Sequence, residues 1–275
     1  MKNLLIRTAS GIVFLVIFLT ALLWHPIAYC AIFAAVVMIM IHEYLEITIG
    51  KKHGALKFVT IFNGTLLFVL MFLHVWKQLP WQWLLIVPIF VMISYCIILF
   101  SKDKEDYRST PFAIASLLYI ALPFSMTNLI AFGPDGSFNG IILLTVMIMI
   151  WGSDVGAYLV GMTLGRKFGH KLCPNISPNK SWEGYFGGLI FAILSGYILS
   201  ITGMTGMTII YSIILAIIVN ITSTLGDLAE SQLKRNFGVK DAGKIMPGHG
   251  GLLDRFDGAL FAFPSAVLFI ILTLL

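Results

Sequence analysis

The sequence predicts an all-α, polytopic integral membrane protein of about nine transmembrane helices with a cytoplasmic N-terminus. Composition is the first observation behind this: 59% of the 275 residues are hydrophobic and 11% are charged, with a mean hydropathy of +0.94. Soluble domains carry about 25% charged residues. The second is a series of apolar runs near the ~20 residues that a bilayer requires. They lie at 6–24, 27–48, 58–76, 81–100, 112–132, 139–160, 184–202, 207–227 and 256–275. The third is charge placement: of the 18 Lys and Arg residues, all but Lys77 fall in loops on one side of these crossings. Positive charge marks the cytoplasmic side, which puts the N-terminus inside and the C-terminus outside. The isoelectric point near 9.1 follows from the same bias and needs no nucleic-acid partner.

The first run follows Lys2 and Arg7 as a signal peptide would. No small-x-small cleavage site comes after it, and Tyr29 before Cys30 does not suit lipid attachment, so a retained helix is expected. The second run ends in His42, Glu43 and Glu46. Polar groups at helix ends sit cheaply in interfacial water, so these are expected to face the cytoplasm, or else to contribute to the mouth of a site. The charged loop at 101–111 is the expected boundary between N-terminal helices (1–105) and a catalytic region (106–275) that contains a cytoplasmic signature loop at 228–256. No internal repeat or low-complexity linker occurs. Cys30, Cys96 and Cys173 are too widely spaced for a metal pattern.

Asp154 stands in an apolar context, Ile-Trp-Gly-Ser-Asp-Val-Gly-Ala-Tyr, where an ionisable group is a functional candidate. On a helix it shares a face with Ala157, Tyr158 and Gly161, and the small residues there predict close approach of a second helix. The next loop, Ser177-Pro-Asn-Lys180-Ser-Trp-Glu-Gly184, offers Lys180 as a phosphate contact.

From Ser223 to Gly258 the chain changes character, holding five of the 13 acidic residues together with five bases and many glycines. A helix continued through Lys234 would place Ser223, Asp227, Glu230, Ser231 and Lys234 on one stripe. Asp254 and Asp257 are three apart, so they share a helical face on which they could clasp one cation. Pro247-Gly-His249-Gly250-Gly251 is a loop whose glycines let backbone N–H groups approach an anion. Carboxylates for a hard cation beside lysines and such a loop suit polyphosphate and magnesium.

The run Ser231-x-Leu-Lys-Arg, Lys240-Asp-x-Gly, Pro247-x-His-Gly-Gly-Leu-x-Asp-Arg-Phe-Asp257 closely resembles the C-terminal signature of the CDP-diacylglycerol synthases, or phosphatidate cytidylyltransferases. Met246 departs conservatively from the Leu, Ile or Phe usual there. The resemblance extends to Asp154-x-x-Ala-Tyr158 and to Ser177-Pro-x-Lys-Ser-x-Glu-Gly184, where Asn179 replaces an expected lysine. It implies a nucleotidyltransferase of phospholipid biosynthesis that moves the cytidylyl group of CTP to phosphatidate. It further implies a multi-pass protein of the inner or plasma membrane, with its site on the cytoplasmic side and membrane lipids around it. A homodimer is one assembly left open. By resemblance, Asp227, Asp254 and Asp257 hold magnesium, with or without a second cation. Lys234, Arg235, Lys240 and Arg255 then steady triphosphate and pyrophosphate oxygens, while His249, Gly250 and Gly251 shape the nucleotide loop. Ser223, Asp154 and Lys180 are further substrate contacts.

Two look-alikes and one other class compete with this reading. Gly238 to Lys244 opens like a phosphate-binding P-loop, but Ile245 replaces the required hydroxyl residue and no strand precedes it. Asp254-Arg-Phe-Asp257-Gly258 opens like the motif of the CDP-alcohol phosphotransferases, then runs on without its further aspartates. An ion-coupled transporter could use Asp154 and Asp227, yet it gives no reason for His-Gly-Gly-x-x-Asp-Arg-x-Asp in a loop.

Overall fold

The computed structural model describes residues 2–101, 107–166, 169–248 and 250–274, with side chains from Thr8 onward. Among these residues the chain is predominantly helical. The helices are α1 (Lys2–Leu23), α2 (Pro26–Thr48), α3 (Gly54–Lys77), α4 (Trp81–Leu99), α5 (Ser109–Ala131), α6 (Ile141–Gly165), α7 (Trp182–Ile201), α8 (Ile209–Asn236) and α9 (Leu253–Leu274). All from α2 onward are long and apolar enough to cross a membrane, and α1 has a shorter apolar stretch, Thr8–Leu23. Each expected run therefore has its helix. The main difference is α8, which continues past 227 to Asn236 and so carries the charged stripe as helix.

The strictly all-α expectation needs correction. Strand β1 (Lys171–Cys173) pairs antiparallel with β2 (Ser177–Ser181) in a short hairpin between α6 and α7. Ser-Pro-Asn-Lys-Ser lacks the alternation of a half-buried strand, and Pro178 argues against one, so nothing local announced it.

Two compact units emerge: residues 1–138 with 237–255, and residues 139–236 with 256–275. This partition does not follow the loop at 101–111, and residues 102–106 of that loop lie outside the described residues. The signature stretch is divided, with its loop in the first unit and the stripe on α8 in the second.

The first unit is built on aromatic packing. Tyr29 and Phe33 of α2 lie against Phe68 of α3, with ring centroids 5.9 and 6.3 Å from it, and Phe124 of α5 stands 5.9 Å from Phe33. The Tyr29 hydroxyl cannot be left unpaired in such a core, and it shares a 2.8 Å hydrogen bond with Thr127 Oγ1. α5 relaxes to a π turn over Leu117–Ala121, just before Pro123 removes an N–H from the ladder. In the turn after α5, Asp135 accepts the N–H and hydroxyl of Ser137 (3.0 and 2.6 Å), which holds its carboxyl below the ordinary carboxylate range.

Of the three polar residues ending α2, His42 is exposed and Glu46 pairs with Lys57 of α3. Glu43 does not face water. Only 4% exposed, it accepts the backbone N–H groups of Leu252 (3.0 Å) and Leu253 (2.8 Å). The expectation fails because a helix-end acid looks the same in sequence whether water or backbone donors satisfy it.

In the second unit, α6 and α7 meet backbone to backbone. A Cβ on Gly156 would lie 2.7 Å from the carbonyl oxygen of Gly187, and one on Gly187 would lie 2.4 Å from Val160 Cβ. The seam takes in the small residues where close approach was expected: a Cβ on Gly184 would lie 3.0 Å from the carbonyl oxygen of Ala157 and 3.4 Å from Gly161 Cα, while Asp154, Ala157, Tyr158 and Gly161 also border a cavity. Beside Gly188 at the same seam, Ser153 of α6 donates to Asn220 Oδ1 of α8 at 2.8 Å, tying a third helix into the unit.

Candidate active site

The second unit encloses a cavity of about 700 Å³. Asp154, Ala157, Tyr158 and Gly161 of α6 line one wall, as their spacing predicts for one helical face. The hairpin adds Lys171, Asn179, Lys180 and Ser181, while α8 adds Ser223, Thr224 and Asp227. Ser181 ends the hairpin and caps α7, accepting the N–H of Gly184 at 3.1 Å, so the strand register and the helix start fix each other. Lys180 then reaches Asp227, to whose Oδ2 its ammonium is paired.

A second close approach places the acids. A Cβ on Gly226 would fall 2.6 Å from the carbonyl oxygen of Asp257 and 3.2 Å from that of Gly258. A Cβ on Gly258 would fall 3.2 Å from both the Cβ and the carbonyl oxygen of Ser223. These two glycines let α8 and α9 touch, which brings Asp227 and Asp257 to one place. Asp257, half-buried, accepts the N–H of Gly258 (2.7 Å) and lies within electrostatic reach of Asp227, Glu230 and Asp154.

The stripe on α8 forms as spaced. Ser231 Oγ points to Asp227 Oδ1 at 3.4 Å, and Lys234 pairs with the fully buried Glu230 one turn before it. Arg235, next on the helix, is exposed.

Asp227 and Asp257 approach each other with Asp154 and Glu230 within electrostatic reach, and carboxylate oxygens of this kind are the hard donors that a divalent cation takes. Among the described residues, no group of three or more His, Cys, Asp or Glu side chains is already gathered into a metal site. Magnesium fits such an arrangement, because it is usually held by one or two carboxylates with substrate phosphates and water completing its shell.

The signature loop of the first unit is organised by acids of its own. Asp254 Oδ2 accepts the N–H groups of Ala242 (2.8 Å) and Gly251 (2.7 Å). Gly250 takes φ +86°, and Met246 and Gly250 form an isolated bridge across the tight turn. Of the backbone donors here, the Gly251 N–H goes to Asp254 and those of Leu252 and Leu253 go to Glu43. Lys240 and Arg255 are exposed. His249 lies outside the described residues.

Sequence reasoning missed Glu230 as part of the acid cluster, and counted Arg166 and Lys171 only toward topology, although both line the cavity. For Glu230 the signal was there: it stands on the stripe with Asp227 and Lys234.

These features describe a predominantly helical, membrane-type protein with acidic and basic side chains along one cavity. The sequence model of the cytidylyltransferase family matches residues 5–273. The chain belongs to the cytidylyltransferase family, and so to the nucleotidyltransferases. A phosphatidate cytidylyltransferase of Staphylococcus epidermidis is 31% identical over 275 residues, covering 98% of this chain and 99% of that one. One from Staphylococcus haemolyticus is 33% identical over 266 residues (94% and 96%), and one from Staphylococcus aureus is 31% identical over 259 (94% and 96%). A match over nearly the whole chain selects this family over the CDP-alcohol phosphotransferases and the transporters.

Proposed function

We propose that this chain transfers the cytidylyl group of CTP to phosphatidate, giving CDP-diacylglycerol and pyrophosphate. The observation that carries the reading is the cavity of the second unit. The motif residues Asp154 and Lys180 and the candidate magnesium ligand Asp227 line a single space, although 73 positions separate the first from the last. In the reaction a phosphate oxygen of the lipid bonds to the α-phosphorus of CTP, and the bond from that phosphorus to the bridging oxygen of the β-phosphate breaks. A phosphomonoester is already largely dianionic near neutral pH, so no strong base is needed. What the protein supplies is alignment and charge neutralisation.

A magnesium ion held by Asp227 and Asp257 would neutralise charge on the triphosphate and on the leaving pyrophosphate. Lys180, held in place by Asp227, faces the same cavity and can pass to a phosphate oxygen when substrate arrives. Lys171 and Arg166 add positive charge along the wall. Ser223 offers a hydroxyl, and the pair with Glu230 holds Lys234 in place. For Lys240, Arg255, Gly250 and Gly251 the roles remain those of the family signature, phosphate contacts and the shape of the nucleotide loop.

The test is transfer of label from CTP into lipid by purified protein given phosphatidate, with dCTP and ATP as controls. CTP-dependent, stoichiometric release of pyrophosphate is expected. Labelled lipid that forms without phosphatidate, or none at all, would refute the assignment.

The charge bias supports a plasma-membrane protein with a cytoplasmic N-terminus, and the bases of the cavity belong to that cytoplasmic set. Reporters active only in the cytoplasm should work after Lys57, Arg108 and Lys180 and fail at Leu275. A cytoplasmic C-terminus would overturn this orientation.

A further inference from the structure

The signature loop of the first unit contains the family's glycines, yet the residue that they surround lies far away in the chain. A Cβ on Gly243 would stand 2.2 Å from Glu43 Oε1, and one on Gly251 would stand 2.7 Å from both Glu43 oxygens. Larger residues at either position would displace the carboxylate. Glu43 in turn supplies what α9 lacks. Leu252 stands where a capping side chain belongs and has no acceptor, while Asp254 turns back to the loop N–H groups of Ala242 and Gly251. The N–H groups of Leu252 and Leu253 instead go to Oε1 and Oε2 of Glu43. A negative charge at this helix end also suits the helix dipole. The first helix adds a lighter tie, with Ser10 Oγ donating to the carbonyl of Pro247 at 3.1 Å.

We propose that Glu43 is a positioning residue for cytidylyl transfer: its carboxylate seats Gly243 and Gly251 and caps α9, fixing the signature loop. The proposal rests on the CTP-dependent reading above, which the activity of the unaltered protein tests on its own. Glu43 touches no reacting atom in this account. It acts through the loop, and the effect should therefore fall on the nucleotide.

Glu43→Gln keeps the size but turns an N–H₂ group toward a backbone donor. The expected result is at least a tenfold loss of kcat/KM for CTP, with the KM for phosphatidate and the thermal midpoint close to those of the unaltered protein. Trypsin should also cut faster at the exposed Lys240 and Lys244. Glu43→Asp, which keeps both oxygens, should recover part of the loss. A double-mutant cycle adds a second, independent readout. Gly243→Ala should be costly alone, but nearly without further effect in a Glu43→Ala background, where the clashing carboxylate is gone. Glu43→Gln with unchanged CTP kinetics and unchanged trypsin cleavage would overturn the proposal. So would a loss shared equally by both substrates and proportional to the unfolded fraction, or strict additivity of Gly243→Ala with Glu43→Ala.

Discussion

Replacing Asp257 with Asn is expected to lower magnesium-dependent cytidylyl transfer by at least about a hundredfold, because even residues that only support a metal ligand are worth about 10- to 100-fold. The substitution keeps the size and can keep the hydrogen bond from Gly258, so folding should survive. Removing a carboxylate that lies within electrostatic reach of three others relieves like-charge repulsion and should if anything raise the thermal midpoint. Asp227→Asn should lose turnover to a similar degree while also releasing Lys180 from its ion pair. The decisive measurement is turnover as a function of magnesium concentration. Near-normal rates in both variants across the series would mean that these carboxylates hold no catalytic ion.

Gly226→Ala should be nearly as damaging without altering any charge. The added carbon would lie 2.6 Å from the carbonyl oxygen of Asp257, a backbone atom that cannot rotate away. Overpacking of this kind costs about 1–3 kcal/mol, and the strain is relieved only if α8 and α9 part at the level of the acids. Turnover should fall about tenfold or more, the magnesium requirement should shift upward, and the thermal midpoint should drop by several degrees. A control at Gly54, where a Cβ would meet nothing within 4 Å, should leave the magnesium requirement unchanged. A Gly226→Ala protein with ordinary metal dependence would show that helix contact does not set the acid geometry.

The helices were legible because runs of about 20 apolar residues have few other uses. The face of Asp154, Ala157 and Tyr158 was legible because its spacing is local. What that face meets was not, since one sequence does not say which helices pair. That it meets α7, with Gly184 against Ala157 and Gly161 and Gly187 against Gly156, emerges only from the structure. The stripe from Ser223 to Lys234 was read correctly as helix, yet the approach of Asp257 to Asp227 depends on Gly226 and Gly258, ordinary glycines in an apolar context. Glu43 was the hardest to read. Its partners are backbone N–H groups, which every residue except proline possesses, so no side-chain pattern points to them.

The 209 positions between Glu43 and Leu252 also set an order in time. A ribosome adds about 5–20 residues per second, so Glu43 is made about 10–40 seconds before its partners exist. Through that interval the Glu43 carboxylate must be satisfied by water or by passing neighbours. The loop that completes the first unit therefore closes only after residues 252 and 253 have been made, and until then α2 lacks the helix end that it holds.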